Sequence, residues 1–251
     1  MVPMLFQPYA RDLARRILGL APGAILETAA GSGVLPRVLA PQLSPETDYI
    51  ITDLNQEMLD HARSRQPGLD WRQADALALP FDDGRFDCLA CQFGVMFFPD
   101  RAQGFAEARR VLRPGGRLAF SVWEGQDVAS ALTYVFEAAE QYGDPALALP
   151  PGPGPSDFAV RSFAIPALEE AGFSRINFDY VPSVWTVDDP GAPYDHFLEG
   201  TVRGAALLGR QPEANAAAIR AAVAARVRAE LGEEGPWTVP LPSVVISATA
   251  I

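Results

Sequence analysis

Alternating strand and helix signals govern the first half of the chain. Between residues 24 and 123, five short apolar runs typical of buried strands alternate with segments of helical pattern. The strand candidates are AILET, DYIITDL, LDWRQAD, FDCLACQF and RLAFSVW. Helices between successive strands make the strands parallel, in a sheet that is covered on both faces. The pattern therefore predicts a doubly wound, Rossmann-like α/β fold.

Length and charge limit the classes of function. A chain of 251 residues with 49% hydrophobic residues can bury the core of one α/β domain. The 31 acidic and 20 basic residues give a net charge of −11, and no basic stripe is present. The N-terminus lacks a signal-peptide core, and no stretch of 18 apolar residues occurs. We expect a cytoplasmic monomer or homodimer that binds no nucleic acid and does not insert into membranes.

The two cysteines, Cys88 and Cys91, lie within the strand candidate FDCLACQF. Residues three apart in a strand point to opposite faces and lie about 10 Å apart. A disulfide requires Cα atoms within about 7 Å. The spacing therefore predicts two buried thiols, and we expect no metal site.

The second half of the chain is less regular. A helix is predicted over VASALTYVFEAAEQY, and the proline-rich stretch 143–157 is predicted as an irregular connection or a lid. INFDYVPSVWTV and VPLPSVVISATA are each predicted as one strand, with two helices between residues 191 and 231. The last strand is apolar over Val244–Ile246, as expected of a strand inserted between two others.

The residues after the first two strands point to a nucleoside-containing ligand, which in such a sheet lies across the carboxyl ends of the strands. The turn 29–33 contains only small residues, so a ligand can approach its backbone amides. Asp53 ends the second strand 22 positions beyond Gly31, where an acid accepts both ribose hydroxyls. The residues assigned to this part of the site are Ala29, Gly31, Ser32, Gly33, Asp53, Leu54 and Met58.

Two further loops complete the predicted ligand site. Asp75 follows the third strand and can accept from an adenine amino group, while Ala76 leaves room for the ring. The fourth strand ends in Gln92 and Phe93, which we also assign to the ligand. Each feature has an ordinary structural explanation as well, because glycine turns serve packing and strand-end carboxylates cap helices. The order and spacing of all four loops favour binding.

Together these motifs resemble the class I S-adenosylmethionine-dependent methyltransferases. The most similar pattern is that of the small-molecule branch with the ubiquinone and menaquinone biosynthesis methyltransferases. LETAAGSG resembles the glycine motif, TDLNQEML the ribose acid and its helix, and ADALALPF the adenine loop. FDCLACQFGVMFFPD and EARRVLRPGGRLAFSVW resemble strands four and five. The resemblance covers about residues 5–125, and LEEAGF, before strand six, is also similar.

The resemblance implies a single methyltransferase domain over residues 1–251 with S-adenosylmethionine as cofactor. Its sheet would have seven strands in the order 3-2-1-4-5-7-6, the last antiparallel. Residues 1–125 would form the cofactor-binding half, and 126–251 the substrate-side half with a helical cap insertion at about 190–232. The glycine turn does not match a dinucleotide-binding fingerprint. That fingerprint needs a third small residue where this chain has Val34 or Pro36, and no cation for a pyrophosphate is nearby.

The acceptor is expected to be a small aromatic or lipophilic molecule, methylated on oxygen or carbon. His196, within the cap, is the candidate base, whereas His61 is expected on the surface. The strand-four ending CQFG differs from the Asn/Asp-Pro-Pro-aromatic tetrapeptide of enzymes that methylate amino groups of adenine or glutamine. The residues expected to line an acceptor site are Met96, Phe97, Trp123, Phe158, Trp185, Tyr194 and Phe197.

Two other classes remain open. A nicotinamide-dependent oxidoreductase would share the fold and the ribose acid, and titration with each cofactor separates the two. A non-catalytic nucleoside-binding protein would keep the turn but have no open acceptor cavity.

Overall fold

The chain folds into two compact units. A computed structural model describes residues 2–124, 128–148, 154 and 156–251, with side chains from residue 5 onward. The sheet unit comprises Phe6–Trp123, Pro153–Val181 and Ser243–Ile251, and the helical unit comprises Met1–Leu5, Glu124–Gly152 and Pro182–Pro242. In the predicted proline-rich connection, residues 149–153 and 155 lie outside the described residues.

The described residues contain nine strands and nine α-helices. The strands are β1 (Ala24–Glu27), β2 (Asp48–Asp53), β3 (Asp70–Gln73), β4 (Phe86–Gln92), β5 (Leu112–Trp123), β6 (Phe173–Val181), β7 (Val184–Val187), β8 (Trp237–Pro240) and β9 (Ser243–Ala250). The helices are α1 (Val2–Leu18), α2 (Val34–Leu39), α3 (Gln56–Arg65), α4 (Arg101–Val111), α5 (Ala131–Tyr142), α6 (Arg161–Glu170), α7 (Ala192–Gly200), α8 (Val202–Leu208) and α9 (Glu213–Leu231).

The sheet unit is built on a seven-stranded sheet of order β3-β2-β1-β4-β5-β9-β6. The pairs among β1 to β5 are parallel, and β9 runs antiparallel between β5 and β6. Ile246 at its centre pairs with Phe120 on one side and Phe178 on the other. The predicted order and the antiparallel insertion of the last strand are therefore confirmed.

Prolines divide two of the predicted strands, and the prediction of one continuous strand was wrong in each case. INFDYVPSVWTV separates at Pro182 into β6 and β7, and VPLPSVVISATA separates at Pro242 into β8 and β9. A proline lacks the N–H that a ladder needs, so neither strand continues through it. β7 and β8 instead pair with each other in a separate two-stranded antiparallel sheet, with Val184 opposite Pro240.

Residues 191–231 form three helices where two were predicted. Thr201 has extended backbone angles, and its side-chain oxygen accepts a hydrogen bond of 2.9 Å from the Gly204 amide. This cap ends α7 and begins α8. On α9, the four-residue spacing of Ile219, Val223, Val227 and Leu231 predicts one apolar face. The first three are buried, whereas Leu231, the last residue of the helix, is 37% exposed. Within the described residues no helix is long and apolar enough to cross a membrane.

The two cysteines are buried on β4, and neither forms a disulfide, as predicted. Burial raises the pKa of the Cys88 thiol to about 12 and that of the Cys91 thiol to about 11. Both side chains are therefore neutral thiols at pH 7 that pack as small apolar groups.

Replacing Ile246 with valine tests the insertion of β9. Ile246 has no exposed surface, so loss of one methyl group should lower the free energy of unfolding by about 0.5–1.5 kcal/mol. Ile251, which follows β9 and is 66% exposed, supplies the matched control. Urea denaturation should show no change for Ile251→Val, and equal effects of the two substitutions would contradict the central place of β9.

Candidate active site

The turn between β1 and α2 uses left-handed backbone at three of its residues. Ala29 has φ 53°, Gly31 has φ 54° and Gly33 has φ 73°. Gly33 precedes α2, and a Cβ atom there would lie 2.7 Å from Cη2 of Trp71. Both the backbone angle and the packing therefore require glycine at position 33.

Ala29 occupies a conformation that residues with a Cβ atom rarely adopt. Its own Cβ lies against Gly94, where an added Cβ would be 2.4 Å from that of Ala29 and 2.6 Å from Sγ of Cys91. Glycine at position 94 thus makes room for alanine at position 29. The structure brings the first and fourth predicted loops together through this contact.

Asp53 joins the first and second loops. Its Oδ2 accepts a 2.7 Å hydrogen bond from the Gly31 amide, and its Oδ1 accepts one of 2.8 Å from the Asn55 amide. A carboxylate oxygen has two lone-pair positions, so each oxygen can also accept from a ligand hydroxyl. The Asn55 side chain caps α3 by accepting from the amides of Glu57 and Met58.

An apolar surface lies beside this carboxylate. Leu54 is 64% exposed, and its carbonyl oxygen accepts from Nε2 of Gln73 at 2.9 Å. The Met58 methyl group lies 3.7 Å from the position that a Cβ atom on Gly31 would occupy. An acid for two hydroxyls, a glycine without a side chain and adjacent apolar side chains suit the ribose and adenine of S-adenosylmethionine.

The third loop is exposed and is folded by local hydrogen bonds. The Asp75 side chain is exposed and accepts from the Leu77 amide at 2.9 Å, while its carbonyl oxygen accepts from the Ala78 amide at 3.0 Å. Ala76 is half-buried. Among the described residues Oδ2 of Asp75 has no hydrogen-bond partner, so it could accept from an amino group.

Aromatic side chains cluster after β4. Phe93 is buried, has φ 55° and stacks on Trp123 with ring centroids 4.0 Å apart. The rings of Phe6 and Tyr9 contact the same pair, and Nε2 of Gln92 donates to the Phe6 carbonyl at 3.2 Å. Phe93 and Trp123, predicted for cofactor and acceptor respectively, therefore lie together. In the following loop Met96 is buried and Phe97 is 48% exposed.

Glu27 is a buried acid directly before the glycine turn that the sequence analysis did not single out. It ends β1, is 1% exposed, and accepts a hydrogen bond from the Tyr49 hydroxyl. Burial, with a smaller contribution from the charge of Asp53, raises the pKa of Glu27 to about 8 against the opposing effect of the Tyr49 hydrogen bond. The available signal was an acid within an otherwise apolar strand, directly before the glycine turn.

The predicted acceptor residues of α7 lie in the helical unit. Tyr194 and Phe197 are buried, and Phe197 contacts the rings of Phe136 and Trp185. His196 is half-buried, and burial lowers the pKa of its imidazole. Among the described residues, no cluster of three or more His, Cys, Asp or Glu side chains could hold a metal ion.

Comparison with known proteins assigns a family to the part of the chain that carries these loops. Residues 26–120 match the family model described as a methyltransferase domain. Residues 26–120 are therefore similar to a methyltransferase domain. The predicted resemblance, and S-adenosylmethionine as the cofactor of such a domain, are confirmed over this segment.

Curated relatives are similar over the same part of the molecule. A demethylmenaquinone methyltransferase of Deinococcus radiodurans is 37% identical over 114 residues, which are 44% of this chain and 47% of that protein. The ubiquinone/menaquinone biosynthesis C-methyltransferase UbiE of Hahella chejuensis is 36% identical over 107 residues, 40% of this chain and 43% of that protein. The chain thus spans less than half the length of these two relatives.

Solved structures resemble the whole chain in fold. The YcgJ protein of Bacillus subtilis superposes with a TM-score of 0.63 at 18% identity. The matched region covers 95% of this chain and 97% of the YcgJ chain. The [4+2]-cyclase SpnF has a TM-score of 0.57 at 17% identity and covers 97% and 81%. At such identities the likeness establishes the fold alone, and a cyclase among the neighbours means that the fold does not determine the reaction.

Alanine at position 33 should destabilise the protein more than alanine at position 68. Both glycines have positive φ, but nothing lies within 4 Å of a Cβ on Gly68. Gly68→Ala should lower the free energy of unfolding by about 1–2 kcal/mol, because alanine is strained in a left-handed conformation. Gly33→Ala should lower it by about 1–3 kcal/mol more, because its Cβ atom would also clash with Trp71. Urea denaturation measures both costs, and equal values would contradict the close packing of Gly33 on Trp71.

The buried acid makes stability depend on pH. Because the pKa of Glu27 is raised from 4.5 to about 8 on folding, its stabilising contribution is complete below pH 4.5 and is lost as pH rises toward 8. Glu27→Gln cannot ionise, so its stability relative to the wild type should increase between pH 5 and 8, by at most about 1.4 kcal/mol per pH unit. Thermal unfolding across that range tests this.

The exposed Glu46 supplies the control for this measurement. Glu46→Gln should leave the pH profile of unfolding parallel to that of the wild type. A parallel profile for Glu27→Gln would show instead that Glu27 ionises alike in the folded and unfolded states.

Proposed function

We propose that the whole protein is an enzyme that transfers a methyl group from S-adenosylmethionine to a small acceptor. The observation that carries this proposal is the Asp53 carboxylate, which is hydrogen-bonded to the amide of Gly31 within a segment that matches the methyltransferase domain. The residues proposed to hold the cofactor are Ala29, Gly31, Ser32, Gly33, Asp53, Leu54, Met58, Asp75, Ala76, Gln92 and Phe93.

When bound, the cofactor supplies an electrophilic methyl group, and the protein chiefly has to align the acceptor and exclude water. The side chains of Leu54 and Met58 provide apolar surface beside the ribose acid. The cluster of Phe93 and Trp123 closes the end of β4 and β5 with apolar rings.

The route of the chain supports an acceptor site built by the helical unit. β5 ends at Trp123 and β6 ends at Val181, and each of these residues pairs with Ser243, the first residue of β9. The chain therefore leaves and re-enters the sheet at the carboxyl edge of the parallel strands, where ligands bind in this fold. We propose that the cap at residues 190–232 recognises the acceptor.

The side chains of this segment suit an aromatic or lipophilic acceptor. Tyr194, Phe197 and Trp185 are buried aromatic residues. His196 is proposed as the base for O- or C-methylation, because its lowered pKa leaves the imidazole neutral at pH 7. Two relatives that are named as quinone methyltransferases support this acceptor class. A cytoplasmic location and a monomeric or homodimeric state remain predictions.

Calorimetry with S-adenosylhomocysteine tests the cofactor site. Asp53→Ala removes the acceptor of two ribose hydrogen bonds, each worth about 1.5–3 kcal/mol at most. The affinity should fall at least tenfold. Unchanged affinity would remove Asp53 from the site.

Asp48, at the other end of β2, supplies the matched control because its carboxylate pairs with Arg85. Asp48→Ala should bind S-adenosylhomocysteine like the wild type, and unfolding of each variant without ligand verifies that it is folded. A parallel titration with NADH separates the oxidoreductase alternative, since tight NADH binding without S-adenosylhomocysteine binding would favour that class.

A further inference from the structure

Two ring nitrogens in the helical unit are buried without a hydrogen-bond partner among the described residues. They are Nε1 of Trp185, on β7, and Nδ1 of His196, on α7. The Trp185 side chain is more than nine-tenths buried, since only 7% of the residue is exposed. Buried polar groups without a partner are uncommon because each has lost its hydrogen bonds to water.

In two other tryptophans of the chain the indole N–H has a hydrogen-bond partner. Nε1 of Trp71 donates to the Gln66 carbonyl at 3.2 Å, and Nε1 of Trp237 donates to the Gly232 carbonyl at 2.7 Å. Trp237 belongs to the same unit as Trp185. The unpartnered indole of Trp185 thus differs from those of Trp71 and Trp237.

The two rings are in direct contact. Their centroids are 5.0 Å apart with the planes at 83°, and the ring of Phe197 packs against Trp185 at 5.5 Å. The two unpartnered nitrogens therefore belong to neighbouring rings of one largely aromatic cluster. A polar group bound between these rings would gain hydrogen bonds that the cluster itself does not supply.

The chemistry of the two nitrogens selects the group that would satisfy them. The indole Nε1–H can only donate a hydrogen bond, and one nitrogen of a neutral imidazole is an acceptor. With Nδ1 as the acceptor nitrogen of His196, a carbonyl oxygen would satisfy Trp185 alone, and an ammonium group would satisfy His196 alone. A hydroxyl group accepts from the first and donates to the second.

We infer that Trp185 and His196 form a binding position for the hydroxyl group of a phenolic or enolic acceptor. Trp185 holds the hydroxyl oxygen, and the hydroxyl proton points to Nδ1 of His196. This inference rests on the proposed function in one respect, namely that the bound molecule is the methyl acceptor. Trp185 is then a specificity-determining residue outside the matched segment 26–120.

Three probes of similar shape test the position without any methyl donor. 4-Ethylphenol can make both hydrogen bonds, 4-ethylanisole can only accept from Trp185, and ethylbenzene can make neither. The chain has four tryptophans and two histidines, so the indole and imidazole signals of ¹⁵N-labelled protein are few. Trp185→Phe and His196→Gln identify the two signals of interest.

With 4-ethylphenol we expect the Trp185 indole proton to shift downfield and the His196 imidazole signal to move. 4-Ethylanisole should shift the indole proton downfield by less, and ethylbenzene, which makes no hydrogen bond, should not shift it downfield. Equal responses to all three probes, or responses only at other tryptophans, would overturn the inference and leave a buried water as the partner of the two atoms.

Substitutions at two tryptophans complete the test. Trp185→Phe keeps an aromatic ring and should weaken 4-ethylphenol binding about threefold to tenfold, the effect of one hydrogen bond, without changing ethylbenzene binding. Trp237→Phe removes an indole that is already satisfied and should leave both affinities unchanged. Equal affinity of 4-ethylphenol for Trp185→Phe and the wild type would refute the role of Trp185, even where S-adenosylhomocysteine binds as proposed.

Discussion

The hydrogen bond from the Gly31 amide to the Asp53 carboxylate joins the two loops on which the rest of the site depends. β1 and β2 are adjacent parallel strands, so their carboxyl ends meet at one edge of the sheet. Without a tether, a turn of small residues would have many accessible conformations, and ordering it would cost backbone entropy. The 2.7 Å bond fixes the turn against the half-buried end of β2. A ligand that binds the same carboxylate therefore meets a turn already in place.

Packing beneath the loops limits which residue types fit there. Gly33 fits against Trp71, and Gly94 leaves room for the Cβ of Ala29. Ala29 carries the strain of a left-handed conformation that a glycine would not. The close approach of the β1 and β4 loops at Gly94 holds this conformation, so the strain of one loop is maintained by the packing of another.

The sheet unit could largely be predicted from the sequence, whereas the helical unit could not. The glycine turn follows β1 and Asp53 ends β2, and the hydrophobic pattern of both strands is local. The order of the strands in the sheet came from the resemblance. The apolar pattern continues through Pro182 and Pro242, so it did not indicate where strands separate. β7 pairs with β8, which lies about fifty residues farther along the chain, and no local pattern reports such a pairing. Glu27 was missed because a single acid in an apolar strand has no periodic signature.

The unpartnered nitrogens of Trp185 and His196 lie in a different part of the chain from the segment that matches the family model. The loops predicted to bind the cofactor lie within residues 26–120, the segment that matches the methyltransferase domain. Backbone and carboxylate groups of these loops hydrogen-bond one another. Trp185 and His196 lie outside this segment, in surroundings where burial already lowers the pKa of the imidazole. A hydroxyl that enters such surroundings loses its water, so only a molecule that regains both hydrogen bonds gains affinity there. Discrimination between acceptors would then depend on two nitrogens that the fold leaves unsatisfied, because an acceptor without the hydroxyl group leaves them so.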